Sequence, residues 1–266
     1  MSDEAIKFKK INSNLNYKNM SLKELQKLPV HNGVVNFRIT NTSFLMLNIL
    51  NDDSSIIKFF WKDEHDLTSL DIWYDISKEN GTFIDVGAHT GLYSLACIKA
   101  NNENDVICFE PYFMNMARLI TNLRLNGITK NVTNILGAAS NFTGRKKFNV
   151  LTDKSYLSKG GKLDSVGTDV DVYSIDDIYL NKLSKPLRGL KIDTEGEDYK
   201  VLLGCEQLIN HYKPKIIIEV REDNKVEINL FLKKYNYKFF DMSDLKNEID
   251  LENIEINNMA NIFAKI

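Results

Sequence analysis

The chain has 266 residues, 43% of them hydrophobic, which is enough apolar material for one sizeable core but little for two complete domains. Its 34 Lys and Arg residues nearly balance 36 Asp and Glu residues, so the net charge of -2 excludes a bulk attraction to nucleic acid or to anionic lipid. Three widely separated cysteines, Cys97, Cys108 and Cys205, fit no metal-binding spacing and favour reduced, buried thiols.

The N-terminal sequence MSDEAIKFKK lacks the apolar run of a secretory signal. No segment approaches the roughly 18 to 20 consecutive apolar residues that a membrane helix needs. We therefore expect a cytoplasmic protein without a membrane span.

The first third of the chain predicts an appendage. Residues 1–30 are polar and predict a poorly anchored arm with one short helix around SLKELQKL. The apolar runs VVNFRI and FLMLNI flank the turn-like TNTS and predict a β-hairpin, and apolar residues at helical spacing between Ser54 and Lys78 predict one or two helices. We assign residues 1–78 to this appendage, with contacts to substrate or to a second copy of the chain, and residues 79–266 to the main domain.

From Thr82 onward, strands and helices alternate. The predicted strands are TFIDV, VICFE, NVTNIL, GLKID and KIIIEV, and the predicted helices span residues 91–100, 113–125, 198–210 and 226–234. YKFFDM and ANIFAKI add a closing pair of strands. This pattern predicts a doubly wound, mostly parallel, seven-stranded α/β sheet with helices on both faces.

The alternation is interrupted between Ala138 and Leu187. RKKFNVL and DVDVYSI predict a pair of strands around the loop DKSYLSKGGKLDS. Because this insertion follows a strand at the ligand-binding edge of the sheet, we expect residues 149–168 to form a mobile cover over the site.

The segment IDVGAHTG joins an acid-ended strand to a glycine turn, where ligands bind in open α/β sheets. A dinucleotide fingerprint would require glycine at His89 and Leu92, and the carboxylate of Asp85 would repel a pyrophosphate. S-adenosylmethionine carries an ammonium and a sulfonium group, so it fits this acid and the bare backbone of Gly87 and Gly91. The alternative for Asp85 is to cap the next helix.

A second acid ends the next strand. Glu110 follows Asp85 by 25 residues, close to the spacing at which a carboxylate accepts the hydroxyls of a bound ribose. The alternative is a solvated loop acid.

Six segments occur in a recognisable order: IDVGAHTG, CFEPYFMNMARLITNLRLNG, NVTNILGAAS, YSIDDI, LKIDTEGEDYKVLLG and PKIIIEV. In this order the chain resembles the FkbM-type methyltransferases, which use S-adenosylmethionine. The resemblance covers about residues 82–220, and its most specific parts are D-V-G-A-x-x-G, F-E-P and K-I-D-x-E-G. It implies a Rossmann-like methyltransferase fold and a cofactor site formed by Asp85, Gly87, His89, Thr90, Gly91, Glu110, Pro111 and Ala139. His89 stands where the family commonly has Asn, and both side chains can donate a hydrogen bond.

Methyl transfer to a hydroxyl requires an aligned acceptor and a group that takes its proton. The strands GLKID and KIIIEV bring Asp193, Glu195 and Glu219 to the edge of the sheet that carries the glycine turn. We predict these three acids as the catalytic candidates, because neighbouring acids raise each other's pKa and so suit a general base or a divalent metal. No set of metal ligands is assigned.

Structural roles compete for some of these acids. Glu219 could pair with Arg221 or Lys191, and Glu197 and Asp198 could cap the helix that follows them.

The leading functional hypothesis is O-methylation of a hydroxyl on a sugar, a glycan or a small metabolite. A ribose methyltransferase acting on RNA is the first alternative, since Lys191 and Asp193 share one strand, but the acidic balance disfavours nucleic acid. A catalytically silent cofactor-binding scaffold and a nicotinamide dehydrogenase are the others. The sequence leaves open a homo-oligomer and a dependence on a divalent metal.

Overall fold

The computed structural model describes residues 4–65, 67–151, 157, 160–256 and 259–266. The N-terminal elements are α1 (Glu4–Ile11), a 3₁₀ turn (Tyr17–Asn19), α2 (Leu22–Leu25), β1 (Gly33–Ile39), β2 (Thr42–Asn48), α3 (Ser54–Lys62) and α4 (Thr68–Ile76). β1 and β2 form the predicted antiparallel hairpin, and its alternating burial places one face on the protein core.

The prediction of a poorly anchored arm is wrong for residues 4–30. Ala5, Tyr17 and Leu25 are buried in a small cluster against Ile57 and Trp61 of α3. Ser21 also begins α2 with a complete capping box, formed with Glu24. The arm is anchored because a few apolar side chains, too sparse to show a period, converge on one tryptophan.

The main domain contains β3 (Thr82–Val86), α5 (Leu92–Ala100), β4 (Asp105–Glu110), α6 (Phe113–Leu125), β5 (Val132–Leu136), α7 (Ile175–Tyr179), β10 (Leu187–Ile192), α8 (Asp198–Leu203), α9 (Glu206–Tyr212), β11 (Lys215–Arg221), α10 (Lys225–Lys234), β12 (Lys238–Asp241), β13 (Asp244–Ile249) and β14 (Met259–Lys265). Its sheet has the strand order β13-β12-β14-β11-β10-β3-β4-β5. The five strands from β11 to β5 are parallel, and β14 is antiparallel to both β11 and β12. The predicted doubly wound sheet with an antiparallel closing pair is confirmed, and β13 adds an eighth strand that the sequence did not indicate.

The predicted helix over residues 198–210 is two helices, α8 and α9, which are separated at Gly204 and Cys205. A Cβ atom on Gly204 would lie 2.0 Å from the carbonyl oxygen of Ser140. The close approach of these two backbones requires glycine at the break.

The insertion forms a second, four-stranded sheet made of β6 (Ala138–Ala139), β7 (Gly144–Leu151), β8 (Gly160–Asp164) and β9 (Thr168–Tyr173) in the order β6-β9-β7-β8. β7 and β9 are the predicted pair, but GGKLD is strand β8 and not part of a loop. Residues 152–156, 158 and 159 of the predicted cover lie outside the described residues, and the cover remains a prediction.

The core lies on both faces of the main sheet. One cluster joins Ile84 and Val86 to the helices α8, α9 and α10, and the other joins Phe83 and Cys108 to α4, α5, α6 and the hairpin. All three cysteines are buried with free thiols, as predicted. No helix in the described part of the chain has the length and apolar character to cross a bilayer.

The hairpin attaches to the main domain through polar side chains of α6 and of its C-cap residue, Asn126. Asn126 bonds both the N–H and the carbonyl of Leu45, each at 2.8 Å. Asn122 accepts from the N–H of Leu47, and Arg118 donates to its carbonyl, again at 2.8 Å each. These four bonds place β2 along one face of α6.

Candidate functional site

A cavity of about 250 Å³ opens at the carboxyl ends of β3, β4 and β10. The second sheet forms one wall, and the start of α3 forms another. The predicted residues that line it are Gly87, His89, Thr90, Glu110, Pro111, Ala139, Asp193 and Glu195. Asp85, Gly91 and Glu219 are not among the lining residues. Asp85 and Gly91 adjoin lining residues in the sequence, and Glu219 bonds to Arg221, the partner of the lining Glu195.

The turn between β3 and α5, residues 87–91, has an unusual backbone. Gly87, His89 and Gly91 have positive φ angles of 75°, 50° and 89°. A Cβ atom on Gly87 would lie 1.9 Å from the carbonyl oxygen of Asp193, so the turn can pass the end of β10 only with glycine at this position. The Gly87 and Ala88 N–H groups both donate to the carbonyl of Phe109, at 2.9 and 3.0 Å. We call residues 87–91 the glycine turn.

Glu110 connects the glycine turn to the start of α6. Its Oε2 accepts from the backbone N–H of His89 at 2.9 Å, and its Oε1 accepts from the N–H of Tyr112 at 2.9 Å and from the Asn115 amide at 3.3 Å. Burial raises the pKa of this carboxyl above its usual value. A carboxylate oxygen with one donor has further acceptor capacity, so Oε2 can still receive a ligand hydroxyl in the cavity.

Asp85 does not reach the cavity, and the expectation that its carboxylate faces the ligand requires correction. Its side chain is fully buried, where the Ser94 hydroxyl donates to it at 2.7 Å and the Lys191 ammonium lies 3.3 Å away. β3 is buried on both faces of the sheet, so the side chain of Asp85, one residue before the end of the strand, lies in the protein interior and not in the cavity. Asp85 acts on the cavity through Lys191, which does line it.

Lys191 and Asp193 form a charged pair at the end of β10. Nζ of Lys191 lies 3.7 Å from Oδ2 of Asp193 and 4.8 Å from the ring of Tyr93. Burial alone would lower the pKa of Lys191, but the carboxylates of Asp85 and Asp193 outweigh it and raise the pKa above its ordinary value. The lysine is therefore a fixed positive charge beside Asp193, whose side chain is 39% exposed.

Glu219 pairs with Arg221, one of the two partners that the sequence left open. The Arg221 guanidinium donates to Oε2 of Glu219 at 2.8 and 3.0 Å and to Glu195 at 2.5 Å. Burial, with a smaller contribution from the charge of Asp193, raises the pKa of Glu219 to about 7. Arg221 thus ties the turn after β10 to β11, and Glu219 lies behind the cavity wall.

Asp198 and Glu197 have structural partners. Asp198 accepts from the backbone N–H groups of Thr194 and Gly196 at 3.0 and 3.1 Å and from the Thr194 hydroxyl, which fixes the turn that leads into α8. Glu197 lines the cavity but accepts from the Ser140 hydroxyl at 2.9 Å and from Lys200 at 2.7 Å. Asp198 therefore orders the start of the helix, although not as its N-cap residue.

Sequence reasoning expected the N-terminal segment to contact substrate or a second copy of the chain, but it identified none of the residues of that segment that line the cavity. Asp52, Asp53, Ser54, Ser55 and Ile56 all line the cavity. The run D-D-S-S-I at the start of a helical pattern was a signal of an N-cap, and nothing in it indicated a site.

Within the described ranges, no three His, Cys, Asp or Glu side chains are arranged to hold a metal ion.

Comparisons with known proteins agree with this architecture. A family model described as the methyltransferase FkbM domain matches residues 85–239. The crystal structure of the methyltransferase FkbM from Methylobacillus flagellatus KT is similar with a TM-score of 0.50 and 17% identity, over 82% of this chain and 54% of that one. A SAM-dependent methyltransferase from Agrobacterium tumefaciens has a TM-score of 0.50 and 7% identity, over 88% of this chain and 70% of that one.

The chain thus spans about half the length of the Methylobacillus structure that it resembles. No curated protein matches its sequence. At these identities, the likeness to the two solved structures establishes the fold.

Proposed function

This chain belongs to the FkbM methyltransferase domain family, and from that premise we propose that it transfers the methyl group of S-adenosylmethionine to a hydroxyl of a small metabolite or a glycan. The observation that carries the proposal is one cavity that contains both the Glu110 carboxylate, bonded to the glycine turn, and the Asp193 carboxylate beside Lys191. The first arrangement suits recognition of a nucleoside, and the second suits proton transfer from an alcohol.

The residues present fit the cofactor. The acceptor capacity of Glu110 faces the cavity and suits ribose hydroxyls, and the turn at Gly87 presents backbone without a side chain. S-adenosylmethionine, when bound, supplies a methyl group on a positively charged sulfur. Among the described residues, six carboxylates line the cavity, and four of them pair with a lysine or arginine: Asp52 with Arg118, Asp193 with Lys191, Glu195 with Arg221 and Glu197 with Lys200. Asp53 and Glu110 have no such partner in the described part of the chain, so the remaining charge favours a cationic ligand over an anionic one.

Asp193 is the candidate general base. A positioned carboxylate that takes the acceptor proton contributes roughly 10² to 10⁴-fold to the rate. The Lys191 ammonium lies 3.7 Å from Asp193 and restrains its position, and the buried Asp85 carboxylate lies 3.3 Å from the same ammonium. Glu195 and Glu219 share Arg221, so we assign them to shaping the acceptor side of the cavity and not to proton transfer.

The carboxylates that line the cavity also indicate the chemical class of the methyl acceptor. The excess of carboxylates disfavours phosphate-bearing molecules, which weighs against the alternative of RNA ribose methylation. We assign residues 79–266 to the methyltransferase domain and residues 1–78 to an appendage that contributes the start of α3 to the cavity.

Labelled methyl transfer tests the proposal. The purified protein is incubated with methyl-labelled S-adenosylmethionine and separate fractions of glycans, small metabolites, lipids and RNA. We expect label in the glycan or metabolite fraction. Label in RNA alone would support the ribose methyltransferase, and binding of S-adenosylhomocysteine without label in any fraction would support the silent scaffold. Calorimetric binding of NAD in its place would indicate a dehydrogenase.

A further inference from the structure

The glycine turn is held from two sides. On one side Glu110 accepts the N–H of His89. On the other, the Asn122 amide donates to the Thr90 carbonyl at 2.9 Å, and the Thr90 hydroxyl donates to Oδ2 of Asp53 at 2.6 Å. A turn with three positive φ angles, one of them at the non-glycine His89, needs such contacts to persist.

Asp53 divides its two carboxylate oxygens between two tasks. Oδ1 caps α3 by accepting from the N–H groups of Ser55 and Ile56 at 3.0 and 3.1 Å. Oδ2 accepts from Thr90 and lies 3.9 Å from Nδ1 of His89. The side chain is 3% exposed and lines the cavity, so its charge acts where water is largely excluded. One buried carboxylate thus joins the appendage to the turn.

We propose that Asp53 is a positioning residue for the cofactor: it lies outside the matched segment of residues 85–239 and fixes the glycine turn in its binding conformation through the Thr90 hydroxyl. This inference rests on the proposed function. Its physical basis is that a hydrogen bond to an ionised group is about twice as strong as one between neutral groups, so losing it releases the turn. Cofactor affinity then depends on a residue that lies outside the segments D-V-G-A-x-x-G, F-E-P and K-I-D-x-E-G, on which the family resemblance rests.

A double-mutant cycle on S-adenosylhomocysteine affinity tests the inference. Asp53→Ser keeps an N-cap side chain for α3 but is too short to reach Thr90. Thr90→Val keeps the shape of the side chain but removes its hydroxyl. We expect each single variant to bind the ligand about tenfold more weakly in calorimetry, from the typical strength of a bond to a charged group. The double variant should lose little more than the weaker-binding single variant.

Further variants separate positioning from a general effect on folding. Thr90→Ser, which retains a hydroxyl, should lose far less affinity than Thr90→Val. Asp63→Asn removes the same charge at the exposed opposite end of α3 and should leave affinity unchanged. Thermal unfolding of each variant reports whether α3 remains formed.

The outcomes are distinct. Wild-type affinity in both Asp53→Ser and Thr90→Val would overturn the inference. Additive losses in the cycle would also overturn it, because they would mean that Asp53 acts on the ligand independently of Thr90. If the wild-type protein does not bind S-adenosylhomocysteine at all, the proposed function itself fails, and that result is distinguishable from either of the others.

Discussion

Replacing Glu110 by glutamine tests the cofactor side of the cavity with little change in shape. The carboxylate accepts three hydrogen bonds, from the N–H groups of His89 and Tyr112 and from the Asn115 amide. Glutamine has one acceptor oxygen and one donor NH₂ group. Whichever way the amide is turned, its nitrogen faces at least one protein N–H.

The least costly orientation places the amide nitrogen against the single N–H of His89. That orientation removes the acceptor that Oε2 offers to a ribose hydroxyl, a bond to a charged group that contributes about 1.5 to 3 kcal/mol to binding, and it also removes the bond that holds the N–H of His89. Because the turn can relax, we take about 2 to 3 kcal/mol as the net loss of binding free energy. This corresponds to a dissociation constant for S-adenosylhomocysteine about 30 to 150-fold higher.

Isothermal calorimetry with S-adenosylhomocysteine at neutral pH measures this loss directly. Glu103→Gln, which alters an exposed acid after α5, is the matched control and should bind as the wild type does. Thermal unfolding must show that the Glu110→Gln variant is folded at the temperature of the titration. A dissociation constant within twofold of the wild type would refute the assignment of Glu110 as an anchor of the cofactor site.

Three further predictions concern the rest of the site. Asp193→Asn should slow methyl transfer by about 10² to 10⁴-fold with nearly unchanged S-adenosylhomocysteine affinity, and the rate should partly recover in alkali, where the acceptor needs its base less; wild-type turnover at neutral pH would remove Asp193 from the role of base. Burial raises the pKa of Glu219 to about 7 in the folded protein, above the ordinary 4.5. The stability that its protonated form contributes is therefore fully present below about pH 4.5 and is lost as the pH rises through 7. Urea unfolding of Glu219→Gln should therefore show a smaller decline in stability between those pH values, and identical pH curves would contradict the shift. Gly87→Ala should greatly weaken ligand binding and stability because its Cβ would meet a carbonyl oxygen, whereas Gly127→Ala, with a similar φ of 70° and no atom within 4 Å, should cost only about 1 kcal/mol in urea unfolding; equal losses in the two variants would disprove the steric argument.

The parts of the fold that could be predicted from the sequence are those fixed by local patterns. The buried strands of the parallel sheet are continuous apolar runs, and the strand ends are marked by Asp193, Glu110 and the glycine turn. Because parallel strands bring their carboxyl ends to one edge, position along each strand was sufficient to place Glu110 and Asp193 in one cavity.

The remaining features depend on contacts between distant segments. Lys191 lies directly beside Asp85 in the register of β10 and β3, and this pairing turns a predicted ligand contact into a buried ion pair. The bond between Asp53 and Thr90 spans 37 residues and joins two units whose separate patterns indicate no contact. Such pairings form when distant segments pack together, and no hydrophobic periodicity in the sequence indicates them.

The contacts of α6 with β2 also bear on how this chain avoids aggregation. An exposed strand edge is a template for pairing with another molecule, and a two-stranded hairpin has little else to protect it. Here Arg118, Asn122 and the C-cap residue Asn126 follow one another every four residues, a rise of about 6 Å along α6, close to the roughly 6.7 Å between alternate residues of a strand. Their side chains therefore occupy the N–H and carbonyl groups of Leu45 and Leu47 as a third strand would. A helix thus closes this edge of the hairpin to domain swapping and to intermolecular sheet growth.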